Sequence, residues 1–219
     1  MTRSEENYIK AIFHLGKKGT KEVATNSIAE LMETKPSSVT DMVKKLSEKD
    51  LVNYRPYQGV SLTALGNKMA LGIIRKHRLW EVFLVEKLDF SWDEVHDVAE
   101  QLEHIKSDKL IDSLDRLLGF PESDPHGDPI PDKNGEFKER DRLLLSDVPL
   151  RTTGVCVGVR DSSTTFLKFL DKNNIALGNQ LKVLEIEEFD GSLMIDIMGK
   201  RMQISHQIAS NLYIKIKDQ

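Results

Sequence analysis

Apolar residues recur at helical spacing through the first part of the chain, in three short blocks. Tyr8, Ile9, Ile12, Phe13 and Leu15 share one face of a helix predicted over residues 4–18 and ending at Gly16 and Gly19. A second short helix follows at SIAELME, where Asn26 or Ser27 offers an N-cap oxygen. After Thr34-Lys35-Pro36 a third starts at Ser37 and runs to Leu46 or Lys49. On it Val39, Met42, Val43 and Leu46 make the apolar stripe, which leaves Ser37, Ser38, Thr40, Asp41, Lys44 and Lys45 facing outward. Two short helices joined by a tight turn form a helix-turn-helix. LVNYRPYQGVSLT then holds two β-prone runs around Tyr57-Gln58-Gly59, a hairpin "wing". Residues 1–64 therefore predict a winged helix-turn-helix.

The helical period returns at Ala64, in ALGNKMALGIIRKHRLWEVFLVEKL, SWDEVHDVAEQLEHI and SDKLIDSLDRLLGF, the last closed by Gly119 and Pro121. These residues, 65–122, predict a helical domain. Ile73, Leu79, Val82, Phe83, Leu84, Val85 and Leu88 exceed what one small domain buries, which predicts a dimer face; a two-fold dimer matches a palindromic operator. Trp80 and Trp92 fit packing roles. Residues 123–146 are proline-rich without periodicity and read as a linker. Over residues 147–219 the runs GVCVGVR, LKVLEIEEF, SLMIDIM, KRMQIS and NLYIKIK, with one helix at TTFLKFLDKNN, predict a five-stranded SH3-like barrel. The class is mainly α with a β domain at the C-terminal end.

Composition adds limits. Of 219 residues, 39% are hydrophobic and 30% charged, as in ordinary soluble proteins. No apolar run approaches the roughly 20 residues of a membrane span, and MTRSEENYIK is too polar for a signal peptide, so a cytoplasmic protein without membrane contact is expected. The lone Cys156, in GVCVGV, excludes an internal disulfide and predicts a buried strand thiol. A formal charge of -4 hides a division. Residues 1–80 carry 14 Lys+Arg against 8 Asp+Glu, a net of +6, and residues 81–219 carry 17 against 27, a net of -10. Phosphate contacts need local positive charge, so a nucleic-acid-binding module joined to an acidic regulatory one is expected. Double-stranded operator DNA is the expected partner, met by Ser27, Lys35, Ser37, Ser38, Thr40, Asp41, Lys44, Lys45 and Arg55. Asp41 suits such a surface when it accepts from a cytosine amino group.

The candidate chemistry lies in the acidic part. EVHDVAEQLEH places His96, Glu100, Glu103 and His104 at i, i+4, i+7 and i+8 of one helix, and His77 and Glu81 repeat the i, i+4 spacing on another. Three of the 6 histidines are here. Imidazole and carboxylate groups converging from two helices suit one divalent cation or two. The competing reading is a winged-helix regulator whose His/Glu cluster is structural. A metallohydrolase would need a distinct base or nucleophile and an open coordination position, and neither is apparent, so no enzyme and no small organic substrate are expected.

The segments SIAELMETKPSSVTDMVKKLSEKDLV, IIRKHRLWEVFL, EVHDVAEQLEHIKSD, PHGDPIP and GVRDSSTTFLKFLD together give the chain, over almost its whole length, a pattern that resembles the DtxR/MntR family of metalloregulators. The resemblance implies a dimeric, metal-activated repressor with a C-terminal SH3-like domain of the FeoA type. It implies a primary site of Glu100, Glu103 and His104, completed from the first helix by Asn7, and an ancillary site of His77, Glu81 and His96. Some members complete the ancillary site from the SH3-like domain, at positions equivalent to Ser162 and Thr165; the nearby Asp161 is the better oxygen ligand. At Asn7 the chain departs from the family, which has Met in iron-type and Asp in manganese-type members; an amide oxygen still suits a hard cation but adds no charge. At Glu100 iron-type members have Cys, and a second carboxylate favours hard cations. Manganese(II) is expected, with iron(II) as the alternative, while zinc prefers four ligands. The implied switch is a population shift. Without metal the carboxylates of Glu81, Glu100 and Glu103 repel one another, and with metal Asn7 ties the first helix to the regulatory helices and fixes the spacing of the DNA readers.

Overall fold

The computed structural model describes residues 1–17, 19, 21–56, 58–138 and 141–216. Helix α1 (Arg3–Leu15) opens with a capping box, in which Thr2 accepts from the amide of Glu5 and Glu5 accepts from the amide of Thr2. Helices α2 (Thr25–Leu31) and α3 (Pro36–Glu48) follow, then strands β1 (Val52–Arg55) and β2 (Gly59–Leu62), an antiparallel wing with Val52 opposite Leu62. Ile9, Ile12, Ile28, Val39, Val43, Leu46 and Val60 are buried together and form the core of this part. Helix α2 begins earlier than the side chains of Asn26 and Ser27 suggest. Its N-cap is Ala24, without a side-chain cap, because Val23 is held by a two-way backbone bridge to Val60 and the chain turns helical directly from it. Tyr57 of the expected hairpin turn lies outside the described residues. Gly59 adopts φ +118°, and a Cβ there would stand 2.9 Å from the carbonyl oxygen of Val23.

Helices α4 (Ala64–Leu88), α5 (Val95–Leu102) and α6 (Asp108–Leu117) make up the helical region. Helix α5 is shorter than its periodicity predicts. Glu103 still donates its amide to Ala99, but His104 lies in the turn beyond, so the metal-ligand face crosses a helix end. The apolar residues assigned to a dimer face divide. Ile73, Leu79, Val82 and Leu84 are buried within the single chain, Phe83 and Val85 are half-buried, and Leu88 is exposed, as are Leu65, Leu110 and Leu117. Among the described residues, no helix is long and apolar enough to cross a membrane.

The C-terminal part is an antiparallel sheet in the order β3-β8-β4-β5-β6-β7. Its strands are β3 (Leu143–Leu144), β4 (Thr153–Val159), β5 (Gln180–Ile186), β6 (Leu193–Ile197), β7 (Lys200–Ile204) and β8 (Leu212–Ile216), with α7 (Thr164–Lys172) after β4 and α8 (His206–Ala209) after β7. The strand missed by periodicity, β3, pairs only Leu143 and Leu144 with β8, too short a run to show alternation. Leu167 and Leu170 of α7 share a core with Leu181, Ile195, Leu212 and Ile214. Cys156 is buried in it, and burial pushes its thiol up to about 11.

The chain divides into two compact units. One comprises Met1–Trp80, Ala99–Leu117 and Ile130–Phe137; the other comprises Glu81–Val98, Leu118–Pro129 and Lys138–Gln219.

Candidate metal centres

In the first unit the chemistry gathers where α1 meets the end of α5. Lys10 Nζ lies 3.1 Å from Glu100 Oε1 and 2.8 and 2.9 Å from the two oxygens of Glu103. His77 Nδ1 donates to Glu103 Oε2 at 2.7 Å. Glu103 is fully buried. Burial pushes its pKa up, but the bonds from His77 and Lys10 outweigh this and hold it below the usual carboxylate range. His104 Nδ1 donates to Glu6 Oε2 at 2.6 Å. A carboxylate only accepts, so Nδ1 carries a proton and Nε2, 3.9 Å from Glu103 Oε1, is the ring atom left to face a cation. A ligating histidine is usually held this way through its other nitrogen. Asn7 Oδ1 is buried with no hydrogen-bond partner among the described residues, a costly state that a cation would relieve. Thus the structure brings Glu103 and His104 of the expected primary site together with His77, which the resemblance assigns to the ancillary site, and Glu100 joins through Lys10 with its side chain 49% exposed. Glu6 and Lys10 went unread, although they stand one residue before and three residues after Asn7 on the same helix.

The second unit holds a centre that periodicity does not show. In Asp124-Pro125-His126-Gly127-Asp128 the Asp124 Oδ1 accepts from the amides of His126 and Asp128, both at 2.9 Å, while Asp124 N donates to Asp128 O and Gly127 N to Asp124 O. The same bonds recur at Asp132-Lys133-Asn134-Gly135-Glu136. Gly127 and Gly135 supply the left-handed backbone, at φ +84° and +86°. The two loops differ in setting, since Asp132 is exposed while Asp124 is buried.

Glu81 on α4, Asp124 and His126 are all buried, and each offers a ligand atom within 4.8 Å of the others. His126 Nε2 meets the carbonyl of Trp92 at 2.7 Å, and the imidazole stacks on the Trp92 ring at 6.2 Å and 17°. A carbonyl only accepts, so Nε2 carries a proton and Nδ1, 3.8 Å from Glu81 Oε2, is the atom left for a cation. Burial alone would lower the His126 pKa, but Glu81, the charge of Asp124 and the Trp92 carbonyl raise it to about 9. Two carboxylates and one imidazole are a hard oxygen and nitrogen donor set suited to a six-coordinate divalent ion. His96, with its side chain 56% exposed, brings Nδ1 to 3.6 Å from Glu81 Oε1. Asp161 Oδ1 accepts from the amide of Ser163 ahead of α7. Asp124 and His126 were missed because a proline-rich stretch reads as linker; the available signal was the doubled Asp-x-x-Gly-acid pattern.

On the DNA-reading side, α3 buries Val39, Val43 and Leu46 and exposes Ser37, Ser38, Asp41, Lys44 and Lys45. Ser27, Lys35 and Arg55 are exposed as well. Thr40 is half-buried and donates its hydroxyl to Pro36 O at 3.0 Å. Lys45 and Lys49 both reach Glu5 of α1, at 3.4 and 2.7 Å, and chiefly the Lys49 bond holds that buried carboxyl down at about 2.

Comparison with known proteins places these parts. Residues 1–60 match the family model of the iron dependent repressor N-terminal DNA binding domain, 63–132 that of the iron dependent repressor metal binding and dimerisation domain, and 143–216 the FeoA domain. The chain is 34% identical over 144 residues to the HTH-type transcriptional regulator MntR of Oceanobacillus iheyensis, covering 65% of this chain and 95% of that protein. It is 32% identical over 126 residues to the iron-dependent repressor IdeR of Mycobacterium leprae, a match of 58% of this chain and about half, 54%, of that one. Among solved structures, a manganese-dependent transcriptional repressor in complex with manganese aligns at a TM-score of 0.87 and 34% identity, over 97% of this chain and 100% of the other. The chain belongs to the DtxR/MntR family of metal-dependent transcriptional repressors.

Proposed function

We propose that the chain is a metal-activated repressor that binds operator DNA as a homodimer and controls metal-ion homeostasis genes, with manganese(II) as the favoured activator and iron(II) as the alternative. The carrying observation is the position of α1 between the reader and the ligands. Within six residues it bonds Glu5 to Lys45 and Lys49 of the α3 region, Glu6 to His104 and Lys10 to Glu103, with the Asn7 oxygen, unpartnered among the described residues, buried between them in sequence. A shift in how α1 meets Glu103 is therefore passed directly to the recognition helix.

Asn7, Glu100, Glu103 and His104 would hold one ion, oriented by Glu6 and His77. Glu81, Asp124 and His126 would hold a second, with His96 as a further ligand the family resemblance implies and Asp161 as an added oxygen donor. Bound metal supplies the positive charge that lets several carboxylates share one small space. The exposed Ser37, Ser38, Asp41 and Lys44 would face the major groove, with Ser27, Lys35, Lys45 and Arg55 on backbone phosphates.

The test is titration of chelated, metal-free protein with manganese(II), read by binding to DNA from upstream of its own gene. Binding should rise with metal and be reversed by chelator. Lys44→Ala should weaken it across sequences and lower the salt slope by about one unit, as loss of one phosphate contact does. Binding that ignores chelator would leave a winged-helix regulator with a structural His/Glu cluster.

A further inference from the structure

The loop that carries His126 is fastened to the C-terminal sheet from both sides. On its backbone, Val159 N of β4 donates to His126 O at 2.8 Å. Gly127 lies flush on the same strand, where a Cβ would stand 2.1 Å from Val157 O and 2.4 Å from Gly158 Cα. Strand β4 has a register shift between Cys156 and Gly158, at the point where the loop docks. Arg142 closes the contact: its guanidinium sits 3.8 Å above the Tyr213 ring, with Nη1 donating to Gly127 O at 3.0 Å and Nη2 3.7 Å from Asp128 Oδ1. On the side-chain face, Trp92 holds the imidazole by its carbonyl and its ring. Trp92 is itself packed against the C-terminal core, and its Nε1 donates to Asp171 of α7 at 3.0 Å. The next residue, Asp93, pairs with Lys168 of α7 at 3.5 Å and accepts from Thr164 at 3.4 Å.

We propose that Arg142 and Trp92 are positioning residues that hold His126 with Nδ1 turned toward Glu81 and Asp124, so that the C-terminal sheet and α7 set the affinity of this cation site. The proposal rests on the reading of Glu81, Asp124 and His126 as metal ligands. It assigns the sheet domain a task that needs no ligand of its own. A ligating histidine gains affinity when its ring is already fixed, and partners of this kind are typically worth roughly ten- to a hundredfold in metal affinity.

The experiment uses the full chain without DNA. Manganese(II) uptake is measured from the free-ion EPR signal, and cobalt(II) uptake from its visible ligand-field bands, for the wild type, Glu81→Gln, Arg142→Leu, Arg142→Lys and Asp171→Leu. Arg142→Leu should weaken manganese binding at one site about tenfold and alter the cobalt bands at saturation. Arg142→Lys, which keeps a donor for Gly127 O, should recover most of the loss. Asp171→Leu, an exposed change that cuts only the Trp92 tether, should cost about threefold, a fraction of such an orienting effect, and it carries the test with Arg142→Lys if Arg142→Leu does not fold. A merely structural Arg142 would lower the melting temperature and leave the cobalt bands of the folded protein as in wild type. If Glu81→Gln loses a site while the Arg142 and Asp171 variants bind and absorb like wild type, the positioning proposal falls alone. If Glu81→Gln takes up both metals like wild type, the site reading falls and the proposal with it.

Discussion

The two acidic groups differ in what already balances their charge. At the end of α5, Glu103 and Glu100 share an ammonium, that of Lys10, and Glu103 also holds His77. Around His126, the carboxylates of Glu81 and Asp124 face a buried imidazole, with the more exposed His96 3.6 Å from Glu81, and they hold the pKa of the buried ring up at about 9. A divalent ion entering the first group must take over from a cation the chain itself provides. In the second it must replace a proton. Sites built from the same residue types can therefore respond to different variables, one to how firmly α1 is docked and the other to pH.

The largest test asks whether the groups are equal in control of DNA. The α5 group includes residues of α1, which hold the α3 region through Glu5; the His126 group takes none from the DNA-reading part. Glu103→Ala should abolish metal-activated operator binding, by a hundredfold or more on the scale expected when a buried, charge-paired ligand is lost. Glu81→Gln should cost about tenfold, within the usual range of coupling between sites. Fluorescence anisotropy on operator DNA over a manganese(II) series would decide. Equal losses would mean that both groups drive the switch, and a larger loss in Glu81→Gln would reverse the ranking.

How far each group could be read beforehand follows from where its residues stand. Glu100, Glu103 and His104 continue the helical period past the end of α5, so the spacing exposed them even though the helix stops at Leu102. Period also gave the core of the winged helix and the five longer strands. It cannot give Asp124 and His126, whose placement depends on an aspartate oxygen taken up by two amides and on a glycine at φ +84°. Nor does it show Lys10 as a counter-ion, because that role needs a partner 93 residues away. The excess of apolar residues on α4 was only partly informative for a similar reason. Long-range packing buries Ile73, Leu79, Val82 and Leu84, and a local pattern cannot say against what.

Lys10→Gln sharpens the contrast at intermediate scale. Without the ammonium, the buried Glu103 keeps His77 at 2.7 Å and the more distant His104 at 3.9 Å, and its charge is less well compensated. Breaking such a pair typically costs a few kcal/mol, about 3 to 5 when both partners are buried, and less here since the Lys10 side chain retains 13% exposure. The metal-free variant should melt several degrees lower, and manganese(II) should restore more stability to it than to the wild type. Calorimetry with and without metal measures both. If the metal-free melting temperature is unchanged, Lys10 is not the balancing charge.

The smallest effect is the one on pH, and its sign follows from His126. The folded protein raises that pKa from 6.5 to about 9, mainly through Glu81 against the opposing effect of burial. A raised value means that the ring's stabilising charge is fully present below pH 6.5 and is lost as pH climbs through about 9. Manganese(II) needs the Nδ1 lone pair, so binding at this group must expel a proton throughout that window. Affinity should rise with pH by up to about tenfold per unit, because one proton is exchanged. In the α5 group the charge an ion displaces is the ammonium of Lys10 on Glu103, so the contrast to be measured is in the protons released at the His126 group. Isothermal titration in two buffers of different ionisation enthalpy counts the protons released. About one proton near pH 7.5 in wild type and close to none in Glu81→Gln would assign the release to the His126 group, whereas the same count in both would place it elsewhere and remove the distinction in pH response between the two groups.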